Sequence, residues 1–281
     1  MTRENGQRPT SETPYTIIVS SCDAYADTWP PFFSLFEKHW PDCRARILLV
    51  TESYSGAIPL PSGSRLSVST FAAGRRPWGA RLRAAVESAP TPLVLYLQED
   101  YYFDRPVRGD VVEEMAALMV RRPEIAHIGL TSTGSFPPFT PTSDTRLWAI
   151  GRRSRYRIST QAGLWRKNVL LTYVRDDEDV WMLEIFGSRR ARLRDELFLT
   201  LNRDLYAGEK GAVFHYEHTG IIRGRWHKRM PEIFAENDAP MPDFSKRGFY
   251  EPESRLVGRI QVARRLFKKP VTATKALIFN R

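Results

Sequence analysis

At 281 residues, with 42% hydrophobic and 12% aromatic content, the chain is long and apolar enough to bury a sizeable core. No apolar run approaches the roughly 20 residues that span a bilayer, and the two cysteines, Cys22 and Cys43, match no metal or redox spacing. A formal net charge of +10 favours polyanions, anionic lipid or phosphorylated substrates, without choosing among them.

Residues 1–13 are polar, lack a hydrophobic signal segment and read as the disordered leader of a cytoplasmic protein. YTIIVSS (15–21) is a β-branched run ending in small polar residues, a first buried strand with a loop at its carboxyl end. WPPFFSLFEKHW (29–40) is apolar at helical spacing, with two prolines tolerated near its start. RILLVTE (46–52) and SRLSVSTF (64–71) are the second and third strands, WGARLRAAVESA (78–89) an amphipathic helix, and TPLVLYL (91–97) a fourth strand. Strands this apolar are covered on both faces, so β-α-β-β-α-β predicts an α/β fold with a mainly parallel central sheet flanked by helices. Beyond these, VVEEMAALMVRRP (111–123) predicts a helix and IAHIGL (125–130) a short strand. TSTGSFPPFTPTSD (131–144) predicts a long loop, YRISTQAGLWRKNVLLTYV (156–174) a strand and helix, and AVFHYEHTGIIRGRW (212–226) a late strand. Residues 14–230 are expected to form one domain, followed by a basic tail, 231–281, with an amphipathic helix.

Ligands of parallel sheets sit outside the carboxyl ends of the strands. The fourth strand ends there in Gln98, Glu99 and Asp100. Adjacent carboxylates at a buried strand end are either solvated turn residues or hold something positive. Mg²⁺ or Mn²⁺ takes one or two carboxylates plus substrate phosphates. No G-x-G-x-x-G follows the first strand and no P-loop occurs, which removes the main support for a dinucleotide oxidoreductase or P-loop kinase.

Five carboxylates crowd the segment 176–184. Asp176 to Asp179 read mostly as a solvated, N-capping cluster. Glu184, inside WMLEIFGS, has apolar neighbours on both sides, and burial there raises its pKa toward that of a base working near neutral pH. Ser159, Gln161 and Trp165 supply hydroxyl, amide and indole to an acceptor or sugar, the indole being equally at home in helix–sheet core.

Taken in order, VSSCDAY, the W-x-x-R-L helix, LYLQEDYYF, TQAGLWRK and DEDVWMLEIFGS resemble GT-A-type nucleotide-sugar glycosyltransferases of bacterial surface-polysaccharide assembly, from about Tyr15 to Trp226. The resemblance implies a GT-A-like, Rossmann-like fold and transfer of a sugar from a nucleotide-diphosphate donor to a carbohydrate or lipid-linked acceptor. It implies donor-binding roles for Ser21, Asp23, Trp78, Arg81, Gln98 and Glu99. Asp100 stands where the second, metal-binding acid of D-x-D stands, with Gln98 in place of the first, and His218 is the candidate late histidine of a Mn²⁺ or Mg²⁺ shell. In an inverting mechanism Glu184, with Asp179 second, takes the acceptor proton.

Two other classes compete. A sugar nucleotidyltransferase carries a Gly-rich, Lys-containing loop after its first strand, and SSCDAYADTW has neither residue. A nucleic-acid-binding module interleaves its basic residues with exposed aromatics. Here the aromatics sit in apolar runs, so no nucleic-acid partner is expected. At the C-terminus, Leu256, Ile260, Ala263 and Phe267 form one helical stripe flanked by Arg and Lys, an arrangement that fits an anionic membrane surface or packing on the domain.

Overall fold

The structure, a computed structural model of the chain, describes residues 13–217 and 219–252. Strand β1 (Tyr15–Ser20) is buried at every position. Alternation of side chains along a strand sends Tyr15, Ile17 and Val19 into one apolar cluster and Ile18 into another. The first cluster is filled from helices α1 (Trp29–His39) and α3 (Gly109–Arg121), the second from α2 (Trp78–Ser88) and α4 (Lys167–Tyr173). Helices thus cover both faces, as the continuous apolar strands require.

The remaining strands of the main sheet are β2 (Arg46–Thr51), β3 (Ser67–Ala72), β4 (Leu93–Gln98), β5 (Ile125–Gly129), β6 (Phe139–Pro141), β7 (Leu147–Ile150), β8 (Gly163–Arg166) and β9 (Leu197–Leu201). Their order is β3-β2-β1-β4-β8-β5-β9-β7-β6. β1 to β4 are mutually parallel, as are β5 and β9, while β8 and β7 run against their neighbours. The fold is the expected α/β, mainly parallel sheet. Because β8 is antiparallel to β4, its start lies at the edge where β4 and β5 end.

Helix α5 (180–191) contains a π turn at Leu183–Gly187. The segment leading into it, residues 175–178, approaches α2 at a glycine. The first-turn N–H groups of α2 lack a side-chain cap, and Gly79 and Ala80 donate instead to the carbonyls of Glu178 and Asp176. A Cβ at Gly79 would lie 1.9 Å from the Arg175 carbonyl oxygen, so only glycine admits this contact.

Several expectations change. Strands β7 and β9 are short and were not foreseen, and β6 occupies part of the predicted long loop. The late strand is instead a bridge from Phe103 to Tyr216 followed by a tight hairpin, β10 (Ile221–Ile222) and β11 (Arg225–Trp226). Its turn residues Arg223 and Gly224 both have positive φ, the geometry that matches strand twist in a two-residue hairpin. The boundary expected at residue 230 falls inside packed structure. Helix α6 (Met230–Glu236) buries Ile233 and Phe234, and Arg247 pairs with both carboxylate oxygens of Asp27 while lying 4.3 Å over the Tyr25 ring. The amphipathic stripe 256–267 lies outside the described residues. Among those described, no helix is long and apolar enough to cross a membrane.

Candidate active site

The carboxyl ends of β4, β5 and β9, the start of β8, the π turn of α5 and the β10–β11 hairpin enclose a cavity of about 1050 Å³. Gln98, Glu99, Asp100, Ser159, Gln161, Asp179 and Glu184 all line it. Residues separated by as much as 86 positions in the chain (98 to 184) therefore meet at one sheet edge.

Glu99 and Asp100 are both buried. Asp100 Oδ2 accepts bonds from the Thr219 hydroxyl and, at 3.2 Å, from the Ile221 backbone N–H. Its Oδ1 is buried with no hydrogen-bond partner among the described residues. Burial pushes the Asp100 carboxyl up to about 6, and burial together with the Asp100 charge holds Glu99 well above the usual carboxylate range. An orphaned carboxylate oxygen costs stability unless a proton or cation meets it. Among the described residues, no group of three His, Cys, Asp or Glu side chains could hold a metal ion. A Mg²⁺ or Mn²⁺ ion fits Asp100 as a single-carboxylate anchor whose other ligands come from phosphate and water. His218 lies outside the described residues.

Glu184 sits on the π turn, the widened helical form that recurs at functional sites. Its Oε1 accepts from the Thr160 backbone N–H and hydroxyl, both at 2.8 Å, and from the Ser159 hydroxyl at 3.5 Å. All three bonds fall on that one oxygen. Burial raises the pKa of Glu184 despite them. Asp179 caps α5 by accepting from Met182 N–H at 3.0 Å. Gln161 is held at both ends: its oxygen accepts from Tyr216 at 3.0 Å and its amide donates to Tyr101 at 3.3 Å. Those two tyrosines stack with centroids 4.7 Å apart.

Other expected site residues lie away from the cavity wall. Ser21 Oγ accepts from the Trp29 indole at 2.8 Å, and Trp78 donates its indole N–H to Ser20 at 3.0 Å. Asp23 accepts from the backbone N–H groups of Glu52 and Ser53 and from the Ser53 hydroxyl, lashing the loop after β1 to the loop after β2. Arg81 is buried against Glu52, 2.6 Å away. The Trp165 indole is core rather than sugar platform: it is 2% exposed and packs on His127 and Phe198. Glu178 is not solvated either. It is buried in a bidentate pair with Arg190, both contacts 2.6 Å.

Thr160, Thr219, Tyr101, Tyr216 and Arg203 were missed from sequence. Thr160 and Tyr101 stood inside motifs already singled out and Tyr216 and Thr219 inside the expected late strand, while nothing local marked Arg203.

No family model and no curated protein matches the chain. Solved structures do. Residues 1–349 of Staphylococcus aureus TarS align over 66% of this chain and 57% of that one, at 15% identity and a TM-score of 0.44. A CMP:2-keto-3-deoxy-manno-octonic acid synthetase complexed with CTP aligns over 66% and 88%, at 14% identity and 0.41. A Leptospira borgpetersenii cytidylyltransferase aligns over 62% and 68%, at 8% identity and 0.39. The chain spans only about half the length of the TarS fragment it matches.

Proposed function

We propose that the protein is an inverting glycosyltransferase that moves a sugar from a nucleotide-diphosphate donor to a carbohydrate or lipid-linked acceptor hydroxyl. The observation that carries the reading is Glu184: a half-buried carboxylate with a raised pKa, gripped at one oxygen and facing the same cavity as the Asp100 strand end. Gripping Oε1 fixes the carboxylate and leaves Oε2 to take a proton. As the acceptor oxygen bonds to the anomeric carbon, Glu184 removes its proton and the anomeric C–O bond to the diphosphate breaks, its electron pair leaving with the nucleotide. The raised pKa makes Glu184 a stronger base than an exposed carboxylate. Asp100 would hold a Mg²⁺ or Mn²⁺ ion, which supplies charge neutralisation to the departing diphosphate when bound. Gln98 and Glu99 border that position.

The alternative is a sugar nucleotidyltransferase, and the products separate the two. A melting-temperature panel of nucleoside diphosphates, with and without Mn²⁺, selects the base, because a ligand of the folded state stabilises by mass action. The matching nucleotide sugar should then release nucleoside diphosphate in the presence of a glycan acceptor. Release of pyrophosphate from a nucleoside triphosphate and a sugar phosphate would instead establish nucleotidyl transfer.

A further inference from the structure

Acids and bases are unevenly distributed around the cavity. Glu99, Asp100, Asp179 and Glu184 come from the end of β4 and from α5; of the two lining arginines among the described residues, Arg223 sits on the β10–β11 hairpin and Arg203 stands at the end of β9. Along the sheet β9 is three strands from β4, about 14 Å at about 4.8 Å per step. Arg203 therefore faces the cavity from the side opposite Asp100, where the proposed reaction puts the donor diphosphate.

The environment of Arg203 is unusual for a guanidinium. Nη2 donates to the Ser135 carbonyl at 2.6 Å, and the group lies 4.7 Å over the Phe139 ring. Among the described residues no carboxylate forms an ion pair with it. Its Nε is buried with no hydrogen-bond partner among the described residues. Burial, with no nearby acid to offset it, lowers its pKa. A partly buried charge without a counter-charge costs stability unless a ligand supplies one. Nearby, Phe136 and Trp181 are 47% and 52% exposed on the cavity wall, suited to the apolar faces of sugar rings.

We infer that Arg203 forms an anion subsite for the acceptor, holding a phosphate or carboxylate group that the acceptor carries beside its sugar. The fork of a guanidinium matches both groups. The inference rests on the glycosyltransferase reading for the word acceptor, but its test reads binding rather than turnover.

Full-length protein is titrated calorimetrically with glycerol 3-phosphate, with glucuronate and with neutral glucose. One of the two anions should bind and glucose should not; which anion binds tells a phosphate-bearing from a carboxylate-bearing acceptor. Arg203→Gln should weaken that binding at least tenfold and Arg203→Lys should restore part of it. Both variants should bind the nucleoside diphosphate selected by the melting panel as the wild type does. Equal anion binding by wild type and Arg203→Gln, or no anion binding by wild type, overturns the subsite. Parallel loss of nucleoside diphosphate binding overturns it too, by assigning Arg203 to the donor. If Arg203-dependent anion binding persists while no sugar is transferred, the subsite stands and the reaction alone is wrong.

Discussion

The β1–β2 edge of the sheet and the β4–β8–α5 edge carry polar residues of the same types, treated differently. At the first edge the candidate side chains meet protein partners, Ser21 with Trp29, Trp78 with Ser20, Asp23 with Glu52 and Ser53, and Arg81 with Glu52, although Arg81 Nε and Nη1 and Thr51 Oγ1 make no hydrogen bond among the described residues. At the second, Asp100 keeps a buried oxygen with no partner among the described residues and Glu184 is held at one oxygen. The contrast lies in the carboxylates: Asp23 is saturated, both its oxygens accepting bonds from the loop after β2, whereas Asp100 leaves one oxygen open beside the cavity, where a ligand can contribute what the protein does not. The difference reorders the sequence-derived candidates by role.

Glu178 tests the saturated class most severely. Its bidentate pair with Arg190 is buried, and removing one partner leaves an uncompensated charge. Glu178→Ala should destabilise the protein by about 3–5 kcal/mol in urea unfolding. A loss below about 1 kcal/mol would mean that water reaches Arg190 and that saturation is a poor guide here.

Glu184→Gln makes the opposite test. The amide oxygen still accepts from Thr160, so the fold persists, while proton acceptance is gone. Turnover should fall on the order of 10²-fold with donor affinity nearly unchanged. Because burial raises the pKa of Glu184, its ionised form costs stability above that pKa, and the Gln variant should melt at or above the wild-type temperature at neutral pH. A variant that melts well below wild type would place Glu184 among the scaffold residues.

What sequence revealed follows the range of the interactions. Apolar runs with strand or helix periodicity located β1, β2, β4, α1, α2 and α3 within a few residues, because burial on both sheet faces writes itself into neighbouring positions. Glu184 and Asp100 stand out in the sequence as candidates for the same reason, as acids set against apolar segments, and both line the cavity. Strands β7 and β9 are short, and β8 gains its meaning only from running antiparallel into the sheet. Thr219 is 119 residues from Asp100, and Thr160 is 24 from Glu184; such bonds leave no local pattern. Trp165 shows the converse error, since an aromatic beside polar neighbours reads alike whether it faces sugar or core.

Asp100→Asn tests whether the orphaned oxygen is a cation site. The variant should lose the Mn²⁺-dependent part of nucleoside diphosphate binding, about tenfold, while keeping its fold. Equal Mn²⁺ stimulation in both proteins would remove the metal assignment and leave the strand end as a turn.

The smallest effect comes from titrating the same group. Folded Asp100 holds its proton up to about 6, whereas an unfolded aspartate loses it near 3.9. Between those values the folded state binds more protons than the unfolded, so stability falls as pH rises. Asn does not titrate, and in the Asn variant Glu99 also loses the neighbouring charge that helps raise its pKa. Wild type should therefore lose stability relative to Asp100→Asn, on the order of 1 kcal/mol, as pH climbs from about 4 to 6, and the gap should widen further as Glu99 ionises. Added Mn²⁺ should close the gap only above about pH 6, where the ionised carboxylate is available to bind it. Melting temperatures of both proteins across pH, with and without Mn²⁺, read the result. A gap that ignores pH would show that Asp100 is solvated like the acids of an ordinary turn, and the contrast between the two sheet edges would lose its clearest member.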